Sequence, residues 1–250
     1  MKPNIITIEE AASTNTLMTE TDRTTALPHG TVMAAVSQTA GRGQRGNSWE
    51  SAPGMNITMS VMLRPEGVEA SGQFALSEAV ALGVALAIER AMRGVVRIEV
   101  KWPNDIYAGN MKLCGILIEN ALSGNRIVRC VAGVGVNVNQ TLWLSDAPNP
   151  VSMASLAGRE FDIGALTEQI ATELLERVAQ TSTTEGRAKL HEQYISRLWR
   201  GKGFHLWRET GSGRTLEARI AEIAPTGHLT LEEPDGQRGV YAFKEVAAII

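Results

Sequence analysis

The spacing of apolar residues predicts alternating strands and helices over most of the chain. Short apolar runs, continuous or alternating with polar residues, are typical of strands, whereas apolar residues at intervals of three and four are typical of a helix. Predicted strands cover residues 5–8, 31–38, 55–63 and 96–102, and predicted helices cover residues 71–92, 162–180 and 184–199. A further helix is predicted to begin at the capping residues 13–15 and to run to about residue 23.

Residues 111–139 predict a β-hairpin in which "NALSGN" forms the turn. If that turn has an even number of residues, Lys112 shares one face of the hairpin with Gly133, Gly135 and Asn137. Glycines at alternate positions leave a sheet face without side chains, as occurs where a ligand lies against it. Two plainer interpretations stay open: the glycines mark a bulge, and the lysine at the strand end extends into water.

The pattern changes after Gly201-Lys202-Gly203. Beyond this point, short alternating segments such as residues 216–220 and 229–231, a "PDG" turn and "VYAF" are typical of a small β-barrel. The sequence therefore predicts an α/β domain over residues 1–200 and a small all-β domain over residues 201–250.

Composition and charge narrow the class of protein. Hydrophobic residues make up 44% and charged residues 20% of 250 residues, as in globular proteins. The formal net charge of -3 gives no basic excess, so nucleic acid is not an expected partner. We find no signal peptide, and the apolar segment 74–92 contains Glu78 and Glu89, which favours a core helix over a membrane span. We therefore expect a cytoplasmic protein whose two cysteines are buried thiols, without a zinc site.

The segment "GRGQRG" at residues 41–46 has the glycine spacing of a dinucleotide-binding turn. That turn requires a helix directly after the glycines, but Pro53-Gly54 and a predicted strand follow here. What remains is a glycine-rich loop in which Arg42 and Arg45 supply forked donors for a carboxylate or phosphate. The alternative is a surface loop with two solvated arginines.

Five segments in a fixed order carry a resemblance to a known family. They are "STN" at 13–15, "QTAGRGQRGNSWES" at 38–51, "KWPNDIY" at 101–107, "MKLCGILIE" at 111–119 and "GVGVNVN" at 133–139. Together they resemble biotin protein ligases, the enzymes that attach biotin to carrier domains of carboxylases. The resemblance covers most of the chain and implies an α/β (α+β) fold. In it, a mixed sheet packs against helices, as in class II synthetases and lipoate ligases, and a small SH3-like β-barrel follows.

The resemblance implies a reaction in two steps that uses ATP, Mg²⁺ and biotin. The biotin carboxylate first attacks the α-phosphate of ATP, which gives biotinyl-AMP and pyrophosphate. A lysine amine of the acceptor then attacks the acyl carbon and releases AMP. Bringing a carboxylate up to a polyphosphate opposes two negative charges, so cationic side chains near the reacting atoms are expected.

The resemblance also implies roles for individual residues. Those expected to bind biotin are Ser13, Thr14, Asn15, Gln38, Gly41, Arg42, Gly43, Gln44, Lys112, Gly115 and Leu117. Those expected to bind the nucleotide are Arg45, Trp49, Lys101, Asn104, Asp105 and Asn137. Lys112, Arg42 and Arg45 are the expected catalytic groups, with Lys112 as the first choice for stabilising charge in the transition state.

One position departs from the family pattern. Related enzymes often have a second arginine where this chain has Gln44, and here an arginine follows at Arg45. Either Arg45 takes over the contact to the adenylate, or the intermediate is retained differently. Plainer roles also exist, because residues 13–15 are suited to a helix cap and Asn104-Asp105 to a turn. Trp143 is either an exposed hydrophobic residue or, as we favour, part of a lid.

Partners follow from the same resemblance. The expected acceptor is a biotin carboxyl carrier protein or domain, and self-association into a homodimer is left open. Relatives that act as repressors carry a winged helix before the "STN" segment, and this chain reaches Ser13 almost at once. We therefore expect no DNA binding and no membrane association. The alternative functions are a lipoate–protein ligase and a non-enzymatic biotin-binding regulator.

Overall fold

Two β-sheets organise the chain in the computed structural model, which describes residues 2–44 and 47–250. The strands are β1 (Asn4–Ala11), β2 (Thr31–Gln38), β3 (Ile57–Leu63), β4 (Ile98–Lys101), β5 (Asp105–Ala108), β6 (Met111–Ser123), β7 (Arg126–Val136), β8 (His205–Glu209), β9 (Thr215–Ile223), β10 (Leu229–Glu232), β11 (Arg238–Tyr241) and β12 (Val246–Ala248). The helices are α1 (Thr14–Thr25), α2 (Phe74–Met92), α3 (Met153–Ala157), α4 (Ile163–Ala179) and α5 (Thr184–Ser196).

The first sheet is mixed and the second is antiparallel. The seven-stranded sheet has the order β1-β2-β3-β7-β6-β5-β4, in which β1 and β2 pair in parallel and the other neighbours are antiparallel. The five-stranded sheet has the order β11-β10-β9-β8-β12. These sheets confirm the expected α/β fold with a C-terminal β domain. The domain boundary at residue 200 stays a prediction.

Helices cover the two faces of the first sheet unequally. On one face, α2 packs with α4, α5 and the inward side chains of the central strands in the main core, which includes Met59 and Val134. On the other face, α1 covers a smaller cluster that includes Met18, Met33 and Met62. Because α1 covers only this part, the rest of the second face is available for a site.

Helix α2 is long and apolar enough, by length and composition, to cross a membrane. Most of its residues, including Glu78, are buried inside the protein. Glu78 Oε1 lies 2.7 Å from His191 Nδ1, so the polar group buried within the helix has a partner. The packing therefore fits the core helix that the sequence predicts.

The second sheet is joined to the first through the strand end at Trp102. The indole Nε1 of Trp102 donates a hydrogen bond of 2.9 Å to the carbonyl of Gly227. Phe243 packs edge-on against the same indole, with ring centroids 5.8 Å apart. A Cβ at Gly227 would lie 2.7 Å from Cδ2 of Phe74, so the two parts meet closely here.

One local expectation was wrong, the turn at Asn104-Asp105 holds only for Asn104, and one short helix was not predicted. The hairpin turn is shorter than "NALSGN", since β6 continues to Ser123 and only Gly124-Asn125 separate it from β7. Asp105 begins β5, because Lys101 and Asp105 pair across a tight turn between β4 and β5. The five-residue helix α3 was not predicted; it is too short to show a helical period.

Candidate active site

A cavity of about 1070 Å³ lies on the part of the sheet that α1 leaves uncovered. It is lined by almost all the predicted site residues: Ser13, Thr14, Asn15, Gln38, Arg42, Gly43, Gln44, Trp49, Lys101, Asn104, Asp105, Lys112, Gly115, Leu117 and Asn137. Gly41 is not part of the lining, and Arg45 lies outside the described residues. Side chains of the second sheet, including Trp207 and Lys244, close the cavity from the other side.

Glycines clear the floor of this cavity. A Cβ at Gly135 would lie 2.5 Å from Cε2 of Trp49, and one at Gly115 would lie 2.8 Å from Cζ3 of the same indole. A Cβ at Gly133 would collide with Oδ1 of Asn15. The space left by the missing side chains therefore holds Trp49 and Asn15, the groups that the sequence assigns to nucleotide and biotin.

Two irregularities in strand pairing put Lys112 on this glycine face. The hairpin turn has an even number of residues, which is the condition that the sequence left open. The register then shifts between Ala121 and Leu122, so that Gly115 pairs with Gly135. A second register shift, between β5 and β6, leaves Leu113 without a pairing partner in β5. Leu113 and Cys114 therefore both point into the core. The two shifts offset each other. As a result, Cε of Lys112 lies 3.5 Å from the Cβ position at Gly115.

A polar wall closes the end of the cavity next to α1. Gln38 Oε1 accepts hydrogen bonds from the backbone N–H of Thr14 at 2.8 Å and from its hydroxyl at 3.1 Å. Ser60 Oγ lies 2.8 Å from Thr14 Oγ1 and 2.5 Å from Asn15 Oδ1. Ser13 is the N-cap residue of α1, but its side chain makes no capping hydrogen bond. Its hydroxyl is therefore not used by the helix, contrary to the plainer interpretation.

Ser60 and Glu119 were missed by the sequence reasoning. Ser60 is fully buried in β3, and the signal was the alternation of polar with apolar residues in "NITMSVML". Glu119 accepts hydrogen bonds from Asn15 Nδ2 at 2.8 Å and forms an ion pair of 3.1 Å with Arg42. Nothing in the local sequence of β6 distinguished Glu119 from an ordinary exposed residue.

The described residues of the glycine-rich loop, 42–44 and 47–49, line the cavity. A Cβ at Gly41 would lie 2.5 Å from the carbonyl oxygen of Trp49. The backbone N–H of Trp49 donates a hydrogen bond of 2.9 Å to the carbonyl oxygen of Gly41. Gly41 thus brings the two ends of the loop together. Gln44 Nε2 donates to Asn104 Oδ1 at 3.2 Å and to Ile116 O at 3.3 Å. A neutral amide therefore links the loop to the sheet at Gln44.

Lys112 and Asp105 form an ion pair of 2.7 Å inside the cavity. Burial disfavours the ammonium, but the charge and hydrogen bond of Asp105 outweigh it and raise the pKa of Lys112 above its usual value. The ammonium also lies 5.8 Å from the ring centroid of Trp49. Lys112 is therefore a fixed positive charge beside the space in which a nucleotide would lie.

Lys101 is a second, half-buried cation in the lining. Its Nζ donates to the hydroxyl of Tyr107 at 3.2 Å and lies 5.8 Å from the ring of Trp199. Burial lowers the pKa of Lys101, the charges of Lys112 and Arg200 add to the effect, and Asp105 opposes it. Lys101 is thus less strongly held in its charged form than Lys112.

Two buried polar atoms near the cavity lack a hydrogen-bond partner among the described residues: Nε1 of Trp49 and Oδ1 of Asn137. The amide nitrogen of Asn137 already donates to Val151 O at 3.1 Å and to Lys112 O at 3.3 Å. Buried polar atoms without partners are costly. One donor and one acceptor are therefore available to a ligand.

The carboxylate of Glu50 fixes the loop that follows β7. It accepts hydrogen bonds from the N–H groups of Leu144 at 2.9 Å and Ser145 at 2.8 Å, and from Gln140 Nε2 at 3.1 Å. Bonds from Ser145 and Leu144 lower the pKa of Glu50. Trp143 in this loop lines the cavity, which supports the lid that we favour.

Within residues 2–44 and 47–250, no group of three or more His, Cys, Asp or Glu side chains could hold a metal ion unaided. Any metal here would need ligands from a substrate, as is usual for Mg²⁺ at phosphates. Asp105 is the carboxylate next to Lys112 that could contribute one ligand.

This geometry agrees with the comparison to known families. The model of the biotin/lipoate A/B protein ligase family matches residues 8–137, more than half of the chain. The chain belongs to this family. The match contains the polar wall, the glycine-rich loop, Lys112 and the glycine face, whereas the loop with Trp143 and the lining residues of the C-terminal β domain lie outside it.

Individual relatives agree. The chain is 31% identical over 225 residues to the bifunctional ligase/repressor BirA of Bacillus subtilis, covering 86% of this chain but 65% of that protein, less than two thirds of its length. It is 30% identical to the biotin–[acetyl-CoA-carboxylase] ligase of Paracoccus denitrificans, over 83% of this chain and 86% of that enzyme. The biotin protein ligase of Aquifex aeolicus, solved with biotin and ATP, has a TM-score of 0.79 at 22% identity over 98% and 97% of the two chains, which shows a shared fold.

Proposed function

We propose that the protein is a biotin–protein ligase that activates biotin with ATP and transfers it to a lysine of a carboxylase carrier domain. The observation that carries the proposal is the face cleared by Gly115, Gly133 and Gly135, with Lys112 at its edge and the polar wall at its end. The relative from P. denitrificans is named for this activity.

The polar wall suits the ring system of biotin. The ureido group presents two N–H donors and one carbonyl acceptor, and the wall offers hydroxyls and amides of both kinds from Ser13, Thr14, Asn15 and Gln38. A site built from such paired groups rejects analogues that lack them. Lipoate has no ureido group, and this difference favours biotin within a family that includes both kinds of ligase.

The cations suit the first reaction step. One oxygen of the biotin carboxylate would attack the α-phosphorus of ATP, the bond to the β-phosphate oxygen would break, and pyrophosphate would leave with that electron pair. A carboxylate and a phosphate oxygen about 4 Å apart repel each other by about 4 kcal/mol in a partly screened site. Lys112 and Arg42 would offset this repulsion, provided that Arg42 exchanges Glu119 for the ligand.

The remaining groups suit the nucleotide. Trp49 would stack on adenine, and the unpartnered Oδ1 of Asn137 would accept a hydrogen bond from its amino group. Asp105 and phosphate oxygens would hold Mg²⁺, which supplies further positive charge when bound. Lys101 would lie toward the phosphates.

The second step requires an amine at the same acyl carbon. A neutral lysine amine of the carrier would attack this carbon, the bond to the phosphate oxygen would break, and AMP would leave. The mixed anhydride reacts with water, so the loop at residues 41–49 and the lid with Trp143 would need to exclude it.

Mass spectrometry of a carrier domain incubated with the protein, biotin and MgATP tests the proposal. The expected product is a carrier heavier by one biotinyl group on one lysine. Parallel reactions with lipoate identify the alternative: transfer of lipoate alone would replace our proposal with a lipoate ligase. Tight binding of biotin without release of pyrophosphate would indicate a regulator that is not an enzyme.

A further inference from the structure

A side chain from the turn between β11 and β12 reaches the glycine-rich loop. Nζ of Lys244 donates a hydrogen bond of 3.0 Å to the backbone carbonyl of Gln44, a residue 200 positions earlier in the chain. Both residues line the cavity. The side chain of Gln44 is bonded to Asn104 and Ile116 of the first sheet. The loop is therefore held at a single residue by both halves of the protein.

The turn that carries Lys244 is held in a strained but fixed geometry. Lys244 has a φ of 71°, in the left-handed region that residues with a Cβ seldom occupy. The turn is closed by hydrogen bonds from Glu245 N to Ala242 O at 3.0 Å and from Ala242 N to the Glu245 carboxylate at 2.7 Å. Phe243, which precedes Lys244 in the turn, packs against the indole of Trp102. Strain that the surroundings maintain is typical of functional positions.

The ammonium of Lys244 is also distinguished by its partners. Arg42 and Lys112 each pair with a carboxylate. No carboxylate of residues 2–44 and 47–250 forms an ion pair with Lys244, whose hydrogen bond is to a carbonyl. A charged donor to a neutral carbonyl gives a stronger bond than a neutral donor would. The contact is thus suited to holding the loop at Gln44, whose own side chain is a neutral amide.

We propose that Lys244 is a positioning residue that holds Gln44 of the glycine-rich loop at the cavity, so that the C-terminal β domain sets how long the acyl-adenylate is retained. The proposal rests on the proposed ligase function. Lys244 would not contact the reacting atoms. Its loss would open the loop, while the polar wall and Lys112 would still bind biotin and support adenylation.

Lys244→Met, which keeps the hydrophobic stem and removes the donor, tests this role. Enzyme loaded with labelled biotinyl-AMP is chased with excess unlabelled compound, and the label that leaves the protein is followed with time. We expect release to be about tenfold faster than in the wild type, as expected for the loss of one charged hydrogen bond. The adenylation rate at saturating biotin and MgATP should change by less than about threefold.

Two further variants separate positioning from general stability. Lys244→Arg restores a charged donor and should slow release toward the wild-type rate. Lys189→Met removes an exposed lysine on α5 and should behave as the wild type in every assay. If labelled biotinyl-AMP left Lys244→Met at the wild-type rate, the proposal would be overturned. So would a fall in adenylation that matches the rise in release and accompanies a lower melting temperature.

Hydrogen exchange keeps this test independent of the reaction. Without any ligand, backbone amides in a peptide spanning residues 38–55 should exchange faster in Lys244→Met than in the wild type. Unchanged exchange would refute the role of Lys244, whatever the reaction is. A wild type that forms no biotinyl-AMP, together with the expected change in exchange, would refute the ligase function and leave the loop contact standing.

Discussion

Lys112 Nζ lies 2.7 Å from Asp105 Oδ2, on the sheet face that glycines leave bare. The pairing raises the pKa of Lys112 against the effect of burial. A cation fixed before substrate arrives needs little reorganisation when charge develops, which is the main source of electrostatic catalysis.

Replacing Lys112 should impair chemistry more than binding. In Lys112→Ala we expect adenylation to fall by about a hundredfold or more, because the lost charge acts mostly in the transition state. The affinity for biotin, measured by calorimetry without ATP, should fall by much less. Pyrophosphate release gives the adenylation rate. Equal losses of rate and affinity would show that Lys112 only binds substrate.

Adding a methyl group at Gly135 should displace Trp49. The new Cβ would lie 2.5 Å from Cε2 and 2.6 Å from Nε1 of the indole, so Trp49 must move. We expect Gly135→Ala to raise the KM for ATP about tenfold or more and to leave biotin affinity nearly unchanged. Gly72→Ala is the matched control, since nothing lies within 4 Å of its Cβ position. A normal KM for ATP in Gly135→Ala would exclude Trp49 as the adenine platform.

Glu119 should compete with an anionic ligand for Arg42. Glu119→Gln keeps a hydrogen-bond acceptor for Asn15 and removes the charge that pairs with Arg42. We expect the affinity for biotin to rise by up to about fivefold, the usual range for an exposed ion pair. The affinity for biotinamide, which lacks the carboxylate, should not change. A similar gain for both compounds would place the effect at the ring system, through Asn15.

Glu78 should make stability depend on pH. Burial raises the pKa of Glu78, and the bond and charge of His191 oppose this only in part. A carboxyl with a raised pKa in the folded state ionises more easily in the unfolded chain. Its contribution to stability is therefore complete below about pH 4.5 and declines as the pH rises through the folded pKa.

The measurement is a series of melting temperatures for Glu78→Gln and the wild type. The melting temperature of Glu78→Gln should rise relative to that of the wild type as the pH increases from acidic values to pH 8, because the variant has no carboxylate to bury. Parallel curves over this range would show that packing, and not ionisation, determines the effect of the substitution.

The structure brings together residues that the sequence singled out in one hairpin and several short motifs. Residues 13–15, Gln38 and Lys112 all line one cavity, and their roles toward a ligand stay predictions. The face assigned to Lys112 is also right, but for an incomplete reason. Simple alternation takes no account of the bulges at Leu113 and near Ala121, and these happen to offset each other.

What the sequence could not predict depends on contacts between distant segments. Glu119 acquires its role only when β6 passes Arg42 and Asn15. Lys244 lies in a short segment of ordinary composition, and its partner is a backbone carbonyl, which leaves no trace in residue types. Patterns within a window of residues report local structure, whereas such pairs are set by the packing of two sheets.

The hydrogen bond between Trp102 and Gly227 joins the two sheets, so it can form only late in synthesis on the ribosome. Residues from Phe243 to Ala248 form part of the cavity wall and emerge last among its lining groups. All strands of the first sheet are synthesised before these residues. Until the C-terminal residues are added, the cavity would lack this part of its wall. Premature termination after residue 200 would therefore leave the cavity without the part of its wall that these residues supply.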